Sequence, residues 1–339
     1  MIKSKEIIFQ GYDSVRTLPA NFKKEEELFF KQDFKKHIND TVLYQYKNVI
    51  INTQGLVLNN LKIQEDLLLS ANWKKNYNFR YFLSCFVRNR IKFLSSDETY
   101  TLISNPWSAG YFHFLCDSLP RLIALGNKIK DTVLLLPESH NDFHLEFLEF
   151  FKPKKILFYK ETQLLFCPKL LIANHTAPTG NYNKNVLNIL KKKLLEGYNA
   201  KSTINGDKKN IYISRKKATR RRILNEAEFE EVLLKYNFQI ICSEDYNTKE
   251  KIDLFKDCDL LVSIHGAGLT NILFMPEKSK AVEVRMPNDK TNLAYFTLAS
   301  DLNINYYYMF SESPNDKSID YTINTIELEK ILNQIVNSK

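Results

Sequence analysis

From residue 211 onward the chain alternates short apolar runs with amphipathic segments of helical length, and this alternation constrains the fold more than any other feature. The runs are 211–214 (IYIS), 239–243 (QIICS), 259–264 (DLLVSI), 281–285 (AVEVR) and 305–309 (NYYYM); the spacing predicts helices over 225–236, 248–257, 268–274, 291–300 and 324–337. Short runs that are apolar throughout are strands buried on both faces. Such strands, joined by helices, make a parallel sheet between helical layers. The predicted class is therefore α/β, built from βαβ units.

The upstream pattern is less regular. Residues 99–104 (TYTLIS) and 132–136 (TVLLL) predict strands, 141–151 and 184–198 predict helices, and 48–52 and 55–61 predict hairpins. The polar stretch 200–210 (AKSTINGDKKN) marks the expected boundary. It separates an N-terminal domain, 1–205, from a C-terminal domain of βαβ units, 206–323, with a closing helix in 324–339. A length of 339 residues with 44% hydrophobic content suffices for two cores and excludes a disordered chain. The N-terminal MIKSKEIIFQGYD has no apolar h-region, and no window holds 18 uncharged apolar residues, so neither a signal peptide nor a membrane span is expected. Cys85, Cys116, Cys167, Cys242 and Cys258 are odd in number and widely spaced, which suits a reducing cytoplasm.

Charge is concentrated. Residues 201–222 hold nine Lys and Arg against Asp207 alone, a local charge of +8 in a chain of net +9. One basic locus on a near-neutral body points to a local anionic partner: a nucleoside diphosphate, a nucleic acid or an acidic membrane. Within it, Arg215 follows a predicted strand and Arg221-Arg222 precede a helix. Arg at the carboxyl end of a strand faces the crevice where α/β sheets bind ligands, and guanidinium suits phosphate oxygens. A solvated basic loop explains the same residues.

The other strand-to-helix turn carries Gly266-Ala267-Gly268 in a chain with only nine glycines. Free N–H groups at such a turn receive anions. The third glycine of the dinucleotide fingerprint is replaced by Asn271, and no P-loop motif occurs, so spacing alone fits a ligand-free tight turn equally well. His113 and Asp117 stand four apart among Tyr111, Phe112, Phe114 and Leu115. On a helix they share a face, as a tuned acid–base pair or as a structural tie, and the residues alone favour the tie. Asp257-Cys258-Asp259 precedes a buried strand and so lies at the end of the sheet away from the crevice, a poor place for a metal.

Three motifs then stand in one order. The first is His113-x-x-x-Asp117-x-Leu119-Pro120-Arg121. The second is Ser214-Arg215 with Arg221-Arg222-Ile223-Leu224-Asn225-Glu226. The third is His265-Gly266-Ala267-Gly268-Leu269-Thr270-Asn271, with Phe274-x-Pro276 and Val282-Glu283-Val284. Together they resemble glycosyltransferase family 61 over about residues 100–290, whereas the first 95 residues carry no resemblance. The resemblance implies a GT-B architecture, two Rossmann-like domains facing across a cleft. It implies a nucleotide-sugar donor, commonly UDP-linked, in the C-terminal domain and a glycan or lipid-linked acceptor in the N-terminal one.

It further implies inversion at the anomeric carbon with no metal and no cofactor. Asp117 is then the first choice of base, with His113 as orienter or alternate base. Donor-binding roles fall to Ser214, Arg215, Arg221, Arg222, Asn225 and His265, Gly266, Ala267, Gly268, Leu269, Thr270 and Asn271. Glu283 would bind ribose or sugar hydroxyls, or be a surface carboxylate at a strand end. Eukaryotic relatives carry a membrane anchor, and its absence here implies a bacterial, cytoplasmic enzyme of capsule or other surface-polysaccharide synthesis. A basic, aromatic-rich surface implies loose association with an anionic inner membrane. Two other readings stand beside this one. A binder of nucleic acid or anionic polymer needs interleaved aromatics, and only Tyr212 lies in the basic run. A non-catalytic nucleotide-binding module could use the same fold.

Overall fold

A computed structural model describes residues 2–52, 54–77, 79–140, 142–199, 208–289, 291–312 and 320–337. Most of the polar boundary stretch, together with Lys201 and Asp207 of the basic run, lies outside these residues. The chain divides into two compact units: Met1–Ser14 with His37–Leu194, and Val15–Lys36 with Leu195–Lys339. Among the described residues no helix is long and apolar enough to cross a membrane.

The second unit holds a five-stranded sheet in the order Phe238–Cys242, Lys209–Ser214, Cys258–Ile264, Lys280–Arg285, Asn305–Phe310. Every pairing is parallel, as the apolar runs predict. Helices Glu226–Lys235, Thr248–Phe255, Ala294–Asp301 and Thr325–Asn337 form the connections and the close of the unit. The predicted helix near 268–274 is a run of 3-10 turns, Ala267–Phe274. Tyr212, Phe229, Val262, Val282 and Leu332 belong to the core on one side of the sheet. From Lys209–Ser214 the chain moves first to one neighbour and then to the other. The strand order thus reverses between that strand and Cys258–Ile264, the place where sheets of this class bind ligands.

Segment Val15–Lys36 belongs to this second unit, whereas order along the chain assigns all of 1–205 to the first. The reason is the open edge of strand Asn305–Phe310. Ala20 N–H donates to Tyr306 O at 2.7 Å, and Asn21 exchanges hydrogen bonds with the Tyr308 backbone. Phe30 packs against Phe296 and Tyr308. An uncovered edge invites strand addition, and this segment occupies it.

The first unit is built on a nine-stranded mixed sheet. Lys155–Tyr159, Val133–Pro137, Tyr100–Leu102 and Gln163–Ala173 pair in parallel. Beyond them Gln163–Ala173 pairs antiparallel with Thr41–Ile51, which also receives Ile2–Phe9 and the hairpin strand Val57–Asn59. This unit is thus part Rossmann-like and part antiparallel. Its parallel part carries the crossover between Tyr100–Leu102 and Val133–Pro137, on which His113 and Asp117 lie.

Candidate active site

In the second unit the Ser214 and His265 ends of the two central strands bring the arginine segment to the glycine turn. A Cβ built on Gly266 would stand 3.7 Å from Nη1 of Arg215, an ordinary van der Waals distance, so the turn lies directly against the cation. Gly268 packs closely on Ile213: a Cβ there would meet its side-chain carbons at 3.2 Å and push them by a few tenths of an ångström. Arg215 donates through Nη2 to Arg220 O at 2.9 Å, while its Nε is buried without a partner. Arg221 adopts φ +58°, uncommon for a branched-free but bulky residue, and reaches His265 O through Nη1 at 3.3 Å. No carboxylate pairs with Arg215, Arg220, Arg221 or Arg222 among the described residues.

The lysines of the basic run differ. Lys216 pairs with Glu230 at 2.6 Å, Lys217 with Asp245, and Lys208 with Asp259 at 3.4 Å. Three of the nine cations are thus answered in place, and the four arginines near the turn keep their charge uncompensated. Arg215 and Arg221 are the two of these that touch the turn itself, at Gly266 and at His265 O.

The remaining donor-side candidates divide by burial. Gly266, Ala267 and Gly268 present the turn to the surface, whereas Leu269, Thr270 and Asn271 are buried beneath it. Thr270 Oγ1 is buried without a partner, and Asn271 Nδ2 closes the turn on Gly268 O at 2.8 Å. Ser214 Oγ donates to Glu226 Oε1 at 2.6 Å and accepts from Lys216 N–H. Asn225 exchanges two 2.9 Å bonds with the Ile323 backbone, and Arg222 is held through its backbone, N–H to Asp320 and C=O to Tyr321. Ser214 and Asn225 therefore brace the site, and their polar groups are already engaged.

Glu283 is not a surface carboxylate, and both of its oxygens are already engaged. It is completely buried; Oε1 lies 2.5 Å from His265 Nδ1 and 3.5 Å from Arg285 Nη1, and Oε2 accepts from Tyr306 OH at 2.6 Å. Burial alone would raise its pKa; Arg285, then His265 and Tyr306, outweigh that and hold it below the ordinary carboxylate range. Asn292 Nδ2 donates to His265 Nε2 at 3.0 Å, which leaves Nδ1–H to donate to Glu283. The network fixes the residue that begins the glycine turn. Arg285, Tyr306 and Asn292 escaped the sequence reading. An arginine ending a strand, as Arg215 does, is the one local signal that Arg285 offered.

In the first unit, His113 ends a short helical turn, Tyr111–His113, and Asp117 lies in a π-helical turn, Phe114–Ser118, before helix Leu119–Leu125. Leu119 N–H bonds Phe114 O, one residue further back than in an α-helix. Pro120 has no N–H to continue the regular ladder, and such single π turns recur at functional sites. His113 Nδ1 lies 2.6 Å from Asp117 Oδ2, which also accepts from Thr179 Oγ1 at 3.1 Å. The side chains are 27% and 1% exposed. Burial pushes the Asp117 carboxyl above its ordinary range, and the bonds from His113 and Thr179 recover only part of that.

The imidazole is thus partly exposed where the carboxylate is sealed, and Asp117 holds its Nδ1. Trp107, 44% exposed, packs 5.0 Å from the His113 ring, and Trp73 packs edge-on against Trp107 at 4.6 Å. Arg121 is buried and, among the described residues, bonds the carbonyls of Ile103 and Ala173, tying two strand ends together; burial pulls its pKa down to about 9. At the far end of the other sheet Asp259 pairs with Lys280 at 3.0 Å as well as with Lys208. Among the described residues no three His, Cys, Asp or Glu side chains come together as a metal's ligands.

Comparison with known proteins meets these residues. The sequence profile of the family described as Glycosyltransferase 61 matches residues 111–282, just over half of the chain, from the turn that bears His113 to the strand that bears Glu283. A curated relative, the EGF domain-specific O-linked N-acetylglucosamine transferase of Bos taurus, is 22% identical over 247 residues; the alignment covers 70% of this chain and 43% of the relative. The chain thus spans less than half the length of that relative.

Proposed function

Because the chain belongs to the glycosyltransferase 61 family, we propose that it transfers a sugar from a UDP-linked donor to a glycan or lipid-linked acceptor, with inversion. In this reading the two units form a GT-B pair, the second binding donor and the first acceptor. His113 removes the acceptor proton through Nε2 while Nδ1–H stays on Asp117. The acceptor oxygen attacks the anomeric carbon from the face opposite the diphosphate, which departs with the bonding electrons. Arg215, Arg221 and the amides of the glycine turn stabilise that leaving charge, a role given elsewhere to a divalent cation. The bacterial surface-polysaccharide setting, in the cytoplasm at the inner face of the membrane, belongs to the same proposal.

The observation that carries it is Arg215. It stands at the topological switch point beside Gly266, with a buried Nε lacking a partner and no carboxylate among the described residues to answer its charge. The test is thermal stabilisation of the full chain by UDP, GDP, CMP and ADP, with and without divalent metal. A metal-independent shift with UDP, lost in Arg215→Ala, is expected. A shift with another nucleotide would replace the donor class, and no shift with any would overturn the assignment.

A further inference from the structure

We propose that the first unit docks on an anionic phospholipid membrane through helix Phe79–Arg88, strand Arg90–Phe93 and the apolar groove beside them. This deepens the membrane element of the proposed function and rests on that reading only for its purpose. The surface itself stands on four observations.

The groove holds about 620 Å³ and is lined chiefly by Leu58, Leu61, Ile63, Tyr77, Leu83 and Phe86. That is room for an acyl or isoprenoid chain segment. Next, apolar side chains of the groove, the helix and the strand face water: Leu61 and Leu83 of the groove lining, Val87 and Phe93 are 67, 53, 79 and 73% exposed. Residues 79–93 carry Arg80, Arg88, Arg90 and Lys92 and no acid. None of these four cations has a carboxylate partner among the described residues, in contrast to the paired lysines near the glycine turn. Finally, the helix is held by its inner side. Tyr81 OH accepts from Asn52 Nδ2 and donates to Gln54 Oε1, Cys85 is buried, and Asn89 closes the helix on Cys85 O. Leu83 and Val87 are therefore left outward by a fixed helix.

Exposed apolar residues flanked by unanswered arginines match the chemistry of an interfacial helix on an acidic bilayer. A soluble protein partner needs no row of uncompensated cations. A second copy of this basic surface would repel its twin.

The experiment is co-sedimentation of the full chain with vesicles of phosphatidylcholine alone and of phosphatidylcholine mixed with phosphatidylglycerol. Binding is expected only to the mixed vesicles, and to weaken as salt rises. Replacing Arg88 and Arg90 by Ser should weaken it about fivefold per arginine, and Leu83→Asp with Val87→Asp should abolish it. The UDP-induced melting shift should persist in every variant, which separates this proposal from the donor-site reading and reports folding. Absence of wild-type binding to mixed vesicles overturns the proposal, as does equal binding by the Arg88/Arg90 variant. A wild-type dimer that Leu83→Asp dissociates would reassign the face to a second copy.

Discussion

Two histidine–carboxylate pairs, one in each unit, look alike in isolation and differ in everything around them. His113–Asp117 and His265–Glu283 both join Nδ1 to a carboxylate oxygen, at 2.6 and 2.5 Å. The first is open at its imidazole, and its carboxyl is raised by burial with only His113 and Thr179 in compensation. The second is sealed, with Asn292 on the outer ring nitrogen and Arg285 and Tyr306 on the carboxylate, whose pKa is lowered. The lesson is that the pair alone does not define a role. A partly exposed imidazole marks the one, and a buried guanidinium on the carboxylate marks the other.

The largest expected effect tests the open pair. His113→Gln should lower transfer, read as UDP release in the presence of acceptor, by about 10²–10⁴-fold. Asp117→Asn should fall by a comparable factor, because the ring loses its charged orienter. Both should keep the UDP-induced melting shift. Asp117 is raised in the folded state, so the native protein holds this proton longer than the unfolded chain does. Wild-type stability therefore declines as pH rises across the window between the two values, and Asp117→Asn should remove that slope without lowering stability at neutral pH. A variant with full activity would break the assignment.

The sealed pair should behave oppositely. Glu283→Gln leaves Arg285 buried without its counter-charge, a loss of about 3–5 kcal/mol, measured by denaturant unfolding. Glu283 is lowered in the folded state, so its contribution is present above the ordinary carboxylate range and lost as pH falls through the folded value. The wild-type and variant stability curves should thus converge in acid. Curves that coincide at neutral pH would reduce the network to an ornament of the fold.

How much of this was legible depends on how local each feature is. The five parallel strands of the second unit and the glycine turn are written in contiguous residues, and the structure reproduces them within a residue or two. Strand Gln163–Ala173 has no counterpart among the predicted elements, and Pro168 in its middle supplies no N–H to a ladder. It survives because Asn48 on the facing strand takes φ +53° and the register passes from Val49 to Lys47 around the proline. The role of Glu283 was illegible for a different reason. Its partners come from residues 265, 285 and 306, and only the parallel register of three strands brings them together. The assignment of 15–36 to the second unit likewise depends on an open sheet edge that no local pattern announces.

A smaller effect is expected at the arginine that lies above the sealed pair. Arg215→Ala removes charge-assisted bonds to an anionic ligand while leaving Glu283 and its partners untouched. Nucleotide binding, measured by calorimetry, should weaken by about 1.5–3 kcal/mol, roughly tenfold to a hundredfold. Denaturant stability should hold or rise, since a buried Nε without a partner is removed. Unchanged affinity would detach the strut from any ligand and leave the buried network as packing alone.

The finest distinction between the pairs lies in Thr179. In the sealed pair the groups that hold the carboxylate include a full positive charge; in the open pair the counterpart, besides the histidine, is one hydroxyl at 3.1 Å. Thr179→Val keeps the shape and deletes that hydroxyl, at a cost of about 0.5–1.5 kcal/mol. The lost bond favours the charged form of Asp117, so its pKa should climb further. The acid limb of the pH–rate profile should move to higher pH, with less than about a tenfold loss at the optimum. A purely structural threonine would lower stability and leave that limb in place. A shifted limb with an unshifted optimum would show that the open pair is tuned by a neutral donor where the sealed one is locked by a cation.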